Sequence, residues 1–370
     1  MGVSFKLMGD QTPNPRTVRR LTPKQDGFTI ADTFVRQHPN ATPYHRSAWL
    51  NAVNEGYGHK VTLLVAFDEK DRIVGVLPLC HLAVPMGKPA LVSLPYCDLG
   101  GPLADDVTVE QALIEEAKSL AQELRASSLS MRFAGPMVDT ENNPGHSDSH
   151  KVSMLCPLPQ NSEALFKSYK PKLRSQIRKA EKNGLTGAVL PGPEAVEAFY
   201  PVFAANMHRL GSPVHSLGWF QALASHYGDD MLVGLVYYDD LVVAAGIVLI
   251  NGERACIPWA STLAEYNHLA PNMLLYWTLL SHVANCGIKL FDFGRSSPGE
   301  GTYRFKKQWG AVPYELEWVD LLGENRSPRQ SAGLPETAQK LRTRIEALWR
   351  SLPLPVANRL GPLIRKYISL

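Results

Sequence analysis

The stretch from Phe291 to Gly310 carries the densest set of side chains able to do chemistry. It reads Phe291-Asp-Phe-Gly-Arg-Ser296, a Gly/Ser-rich loop, then Gly301-Thr-Tyr-Arg-Phe-Lys-Lys-Gln-Trp-Gly310. The loop Gly294–Gly301 lies between a predicted strand and a predicted helix. Its backbone N–H groups, with Arg295, Ser296 and Ser297, suit a phosphate or carboxylate. Asp292 sits between Phe291 and Phe293, and strand alternation puts it on the face opposite both rings. If the rings face a core, Asp292 faces a cleft and can orient an amine or Arg295; a structural aspartate that pairs with Arg295 or caps the loop is the plainer alternative. His208 and His215 bracket Arg209-Leu-Gly-Ser-Pro, and either can serve as a base near neutral pH, although a helix cap or a packed ring explains such residues as well. Between Lys167 and Lys182 seven Lys/Arg face one Glu. Read as a helix, Lys167, Lys170 and Arg174 share one face, which suits a polyanion or simply solvent.

Other chemistries are disfavoured. The five cysteines are scattered and never form Cys-x-x-Cys, which argues against a disulfide framework and a structural zinc site. The histidine spacing suggests no metal, and no Gly-x-Ser-x-Gly or Cys–His nucleophile pattern occurs. The first twenty residues lack an apolar segment and no stretch approaches 18 apolar residues, so neither a signal peptide nor a transmembrane helix is expected. A cytoplasmic protein with reduced thiols is the expectation.

Strands and helices must position these groups. Hydrophobic alternation predicts a hairpin at Val61–Phe67 and Ile73–Leu79, and another at Met231–Tyr237 and Val242–Ile250. Each is followed by a third strand (Ala90–Leu94; Arg254–Trp259), an amphipathic helix (Val107–Leu124; Pro271–Asn285) and another strand (Leu129–Ala134; Ile288–Phe293). A strand near 152–158 and one at Tyr314–Leu321 close the two plans. Two helices precede each hairpin, and a break or kink is expected at Pro171 in the basic helix 162–182. The hairpins recur about 170 residues apart, the signature of an internal duplication.

A chain of 370 residues with 45% apolar and 20% charged residues fits two domains. We place them at 1–160 and 161–325, the second carrying the candidate site, with a basic tail at 326–370. The tail holds nine Lys/Arg and two Glu, a net of +7, so the remainder carries −4 of the overall +3. Leu341, Ile345, Leu348 and Trp349 form an apolar stripe flanked by basic residues, suited to an anionic membrane surface or to packing on the acidic body.

Several segments of the second half resemble the FemAB family within the acetyltransferase (GNAT) superfamily: Lys172-Leu-Arg-Ser-Gln-Ile-Arg-Lys-Ala-Glu-Lys182, Arg209-Leu-Gly-Ser-Pro-Val-His215, Trp259-Ala-Ser261 and, most specifically, the block from Phe291 to Gly310. The chain is similar to the FemAB-related subgroup associated with exosortase and exopolysaccharide systems, over about residues 25–325 and again at Trp349-Arg-Ser-Leu-Pro-Leu-Pro. The resemblance implies an α/β (α+β) fold of two tandem GNAT domains with mixed sheets. It also implies an enzyme that moves an acyl or aminoacyl group onto an amine, in cell-envelope or exopolysaccharide metabolism. The co-substrate would be acyl-CoA or aminoacyl-tRNA, with no tightly bound cofactor. The acceptor would be an amine on a glycan or lipid, and the protein would be cytoplasmic or peripheral at the inner face of the membrane.

In that reading Lys306, in the pair Phe305-Lys306, stabilises the developing oxyanion, and Tyr303 stands where acetyltransferases place a general-acid tyrosine. Trp259, Ser261, Tyr266 and Asn267 line the donor channel, and Arg174 and Arg178 contact phosphates. The segment Leu263–Asn272 contains no glycine, which speaks against CoA held in the usual pose. A CoA-dependent N-acetyltransferase of a small molecule or sugar amine is one rival reading; a non-catalytic scaffold at a membrane surface is another.

Overall fold

The computed structural model describes residues 17–23, 28–83, 87–138, 151–323 and 336–369. The polar leader before Thr17 and the start of the tail at Arg326 lie outside the described residues.

The first half runs β1 (Thr17–Leu21), α1 (Asp32–Gln37), α2 (Ser47–Tyr57), β2 (Lys60–Phe67), β3 (Ile73–Leu82), β4 (Ala90–Val92), the two-residue β5 (Leu103–Ala104), α3 (Val107–Glu123), β6 (Ser128–Met137) and β7 (Val152–Pro157). After α4 (Ser162–Ser168) and α5 (Pro171–Lys182) the plan repeats. Its elements are β8 (Leu185–Pro191), α6 (Gly192–Leu210), α7 (Leu217–Tyr227), β9 (Met231–Tyr238), β10 (Leu241–Asn251), β11 (Arg254–Thr262), α8 (Pro271–Asn285), β12 (Leu290–Ser296), α9 (Gly301–Gln308) and β13 (Val312–Asp320). Two tail helices follow, α10 (Glu336–Ser351) and α11 (Leu354–Arg365).

All strands join one mixed sheet in the order β1-β2-β3-β4-β6-β13-β7-β12-β11-β10-β9-β8, with β5 on β3. Each half contributes an antiparallel meander that ends in a parallel pair, β4–β6 or β11–β12. The closing strands are exchanged. β7, from the first half, pairs with β12, while β13, from the second, pairs with β6. The two exchanged strands also pair with each other at the centre.

Local sequence explains most elements. Asp106 caps α3 by accepting from the N–H groups of Thr108 and Val109, and Val109, Leu113, Ala117, Leu120 and Ala121 turn inward at helical spacing. That face covers β2, β3, β4 and β6. Pro271 opens α8, where its missing N–H costs nothing. The basic segment over 162–182 is broken before Pro171, as expected, into two helices. Pro171 disfavours a helical residue before it, so Tyr169 and Lys170 are extended. Lys167 therefore does not share a face with Lys170 and Arg174 as expected; it pairs with Glu163 on α4.

The largest core is common to both halves. Helices α2 and α7 pack together, with Trp49 edge-on to Trp219 and stacked on Trp259. A second core lies between α4, α5, α8 and the second-half strands. The tail helices lean on α6, where Leu352 O bonds to His208 and Leu210 O accepts from Arg350. The expected stripe on α10 is divided: Trp349 is buried against the body, while Leu341, Ile345 and Leu348 face outward.

Candidate active site

The site begins where β11 and β12 part. They pair as parallel neighbours only from Arg254/Leu290 to Cys256/Asp292. Beyond that point Pro258 removes a ladder donor from β11, and the register of β10 against β11 slips between Ile247 and Leu249. On β12 the register against β7 slips between Asp292 and Arg295, around Gly294, whose φ of +74° favours glycine. The two strands diverge, and a cavity of about 250 Å³ opens between them.

Lys306, from α9, lines this cavity and is itself buried. Its Nζ donates to the carbonyls of Gly294 (3.0 Å) and Arg295 (2.8 Å). An ammonium has three N–H donors, so one is left for a ligand oxygen. Burial lowers its pKa to about 8, with Asp292 and Asp98 opposing that shift and Arg295 adding to it. The first-half loop after β4 supplies Tyr96, Cys97 and Asp98 to the same wall. Asp98 Oδ2 accepts from the Arg295 N–H at 3.2 Å, and its Oδ1 lies 3.5 Å from Arg295 Nε. The Arg295 guanidinium stacks over Trp318 at 5.0 Å. Burial pushes the Cys97 thiol up to about 12, so it stays protonated and is a poor nucleophile.

The anticipated residues divide into those on the cavity and those away from it. Lys306, Arg295 and Trp259 line it. Asp292 lies opposite Phe291 and Phe293, which are in the core, as alternation requires. It does not reach the cavity wall, however. Its Oδ1 is held by Ser153 Oγ (2.7 Å) and the Gly294 N–H (2.7 Å), so it braces the turn that aims the Gly294 and Arg295 carbonyls at Lys306. Burial raises its pKa. Ser296 follows on the strand with its hydroxyl buried and unpartnered. Tyr303 is buried in the second-half core, and Phe305 packs on Tyr276 at 5.0 Å.

Ser261 is buried and accepts from Asn206; Tyr266 packs on Tyr238; Asn267 accepts from Thr262. Tyr266 and Asn267 belong to a 3-10 turn, Ala264–Leu269, that leads through Ala270 into α8. Tyr303, Ser261, Tyr266 and Asn267 are all off the cavity wall. His208 binds the tail. His215 is fully buried against Trp219 and Trp259, with its Nδ1 2.5 Å from Tyr57 Oη and its Nε2 unpartnered, and burial holds its pKa well below the usual value.

Arg174 and Arg178 lie elsewhere, in an open groove of about 550 Å³ shared with Lys179 and Lys182 on α5. Leu173, Ile177 and Ala180 anchor that helix in the second core beside α8, so the basic face points outward. Among the described residues no cluster of His, Cys, Asp or Glu could hold a metal ion, and no helix is long and apolar enough to cross a membrane. Tyr44, Tyr96, Asp98 and Arg365 also line the cavity, brought there by long-range folding, and no local pattern in the sequence marks Tyr44, Tyr96 or Arg365 as part of the site.

Comparison with known proteins bears on the fold. A family profile for the acetyltransferase (GNAT) domain matches residues 167–307, which span α4 to α9 and the diverging strands. No curated protein matches. Among solved structures FemX is similar at 15% identity, over 80% of this chain and 96% of FemX, with a TM-score of 0.61. The C-terminal domain of a protein named as a lysylphosphatidylglycerol synthetase from Agrobacterium fabrum is similar at 12% identity, over 86% of this chain and 94% of that one, with a TM-score of 0.50. The chain thus has the fold of FemX, and its residues 167–307 match the GNAT acetyltransferase domain.

Proposed function

We propose that this chain is an N-acyltransferase that moves an acyl or aminoacyl group from a polyanionic donor onto an amine, with the chemistry in the β11/β12 cleft. The observation that carries this reading is Lys306, a buried ammonium with one N–H left for the cavity, facing the carboxylate of Asp98. The acceptor amine binds beside Asp98 and attacks the donor carbonyl. A C–N bond forms, the donor's ester or thioester bond breaks, and the proton lost by the amine passes through solvent or Asp98 to the departing oxygen or sulfur. Lys306 stabilises the oxyanion between these events, so catalysis rests on positioning and charge. The α5 groove, with four basic residues on its wall, receives the phosphates of the donor. The absence of glycine before α8, and Pro271 at its first position, favour a donor other than CoA in the usual pose.

The names of the similar proteins and the resemblance to the exopolysaccharide-associated subgroup support a reaction in cell-envelope metabolism. The tail supports an acceptor at a membrane surface. Of the fourteen large apolar side chains exposed among the described residues, nine lie on α10, α11 and the turn after them. With Arg344 and Arg359 they make a surface suited to anionic lipid.

Calorimetry with acetyl-CoA and with aminoacyl-tRNA, each at two salt concentrations, tests the donor. Salt-sensitive tRNA binding weakened by Arg174→Ala and Arg178→Ala is expected. Micromolar acetyl-CoA binding without tRNA binding would replace this donor by CoA. Binding of neither would favour a scaffold over an enzyme.

A further inference from the structure

The cavity wall holds three cationic side chains, Arg295, Lys306 and Arg365, against one carboxylate, Asp98, an excess of two positive charges. Arg365 is the outlier by origin, because it comes from the end of α11 in the tail. The turn that presents it is clamped into the body. Lys366 O accepts from Tyr96 Oη (2.7 Å) and lies 2.9 Å from His59 Nε2, while Ser369 O accepts from the Tyr96 N–H (2.7 Å) and from Arg132 (3.0 Å). Tyr96 has a φ of +66°, a costly conformation for a bulky side chain, so the loop and the tail are fixed against each other. Arg365 stacks over the Tyr96 ring at 5.5 Å and donates one bond, to Ile368 O at 2.7 Å. No carboxylate among the described residues pairs with it. Asp98 is already engaged by Arg295.

Packing guanidiniums into one cavity without matching anions is unfavourable, and here burial lowers the Arg365 pKa, with Arg132 and Arg295 adding to the effect. An incoming oxyanion reverses that cost, and a guanidinium meets it with two parallel N–H donors. The charge excess of two matches a phosphoryl group better than a single carboxylate.

We propose that Arg365 and Arg295 form a receptor for a phosphoryl group of a substrate, with the tail built into the cleft to supply one of the two guanidiniums. The proposal rests on the acyltransferase reading only in taking this phosphoryl group to belong to a reacting molecule. The receptor itself can be tested without turnover.

The probe is inorganic pyrophosphate, titrated by calorimetry into the full chain, with acetate as comparison. One pyrophosphate is expected to bind, more tightly than acetate. The binding should persist when Arg174, Arg178, Lys179 and Lys182 are changed to alanine, which removes the basic wall of the α5 groove. Arg365→Gln should weaken it about tenfold or more, the loss of a charge-assisted pair, and Arg365→Lys should fall between. If Arg365→Gln does not fold, Arg365→Lys carries the test, since a single point charge cannot replace a two-bond contact. Equal affinity in wild type and the Arg365 variants, no pyrophosphate binding by wild type, or binding lost with the α5 residues instead would each overturn the receptor. Pyrophosphate binding without acyl transfer would leave the receptor standing and remove the enzyme reading. Transfer with an unchanged KM in Arg365→Gln would remove the receptor alone.

Discussion

The two halves of the molecule treat the same gap in opposite ways. In the first, β4 and β6 separate after Val92 and Ser130. The space beyond is filled by the loop that follows: Leu94 is fully buried, Pro95 O accepts from Trp49 Nε1 (3.1 Å), Cys97 O from Arg132, and Arg132 O from the Gly100 N–H (3.2 Å). In the second, β11 and β12 separate at the equivalent step, with Asp292 where the first half has Ser130, and the space stays open. The filling loop of the first gap also furnishes Tyr96, Cys97 and Asp98 to the second. The repeated plan holds one gap as support and the other as the candidate site, so the first half contributes by shaping its neighbour.

The largest test of this division is Lys306→Met. It should reduce kcat/KM by about 10²–10³ through loss of oxyanion stabilisation, with melting behaviour retained; full activity would mean that the chemistry lies elsewhere. Gly100→Ala probes the filled gap. An added Cβ would sit 2.7 Å from Leu94 Cβ, and we expect about 1–3 kcal/mol of lost stability from overpacking, read from denaturant midpoints. Lost activity without lost stability would mean that the first gap binds a ligand.

The pH dependence should report the second gap alone. Lys306 acts protonated and its pKa is about 8, so kcat/KM should fall about tenfold per unit as pH rises beyond that value, and a profile flat to pH 9.5 would remove the ammonium from the mechanism. The stability effect has the opposite sign. Between about 8 and the ordinary lysine value of 10.5, the unfolded chain keeps the proton that the folded one has released, so this group's contribution to stability rises with pH. The smallest effect on folding is expected at the tail surface. Leu348→Ser with Leu363→Ser should change stability by less than about 0.5 kcal/mol each yet reduce co-sedimentation with vesicles rich in anionic lipid. Unchanged partitioning would leave the tail with its role in the cleft only.

Much of the frame was legible because it is local. Both hairpins, α3, α8 and the repeat follow from alternation and spacing, and Lys306 and Arg295, singled out through their motif, lie together on the cavity wall. Trp259 came with the third strand of the meander. What escaped depends on distant partners. The alternation argument gave the face of Asp292 correctly, but no periodicity reveals that Ser153 from an exchanged strand and the Gly294 turn would enclose it. Tyr303 and Ser261 are buried by neighbours that the local pattern does not name. Lys167 was misplaced because the restriction that proline sets on the residue before it outweighed the charge pattern. Arg365 is legible only as part of a basic tail, since its target is assembled from both halves.

The exchange of closing strands has a consequence for biosynthesis. An N-terminal domain ordinarily completes its fold while the rest of the chain is still being made. Here the free edge of β6 finds its partner only when β13 emerges, after roughly 10–35 s of further elongation at about 5–20 residues per second. Until then an unpaired strand edge stands open to other chains. The nascent protein therefore carries an open strand edge for the whole time between the synthesis of β6 and that of β13.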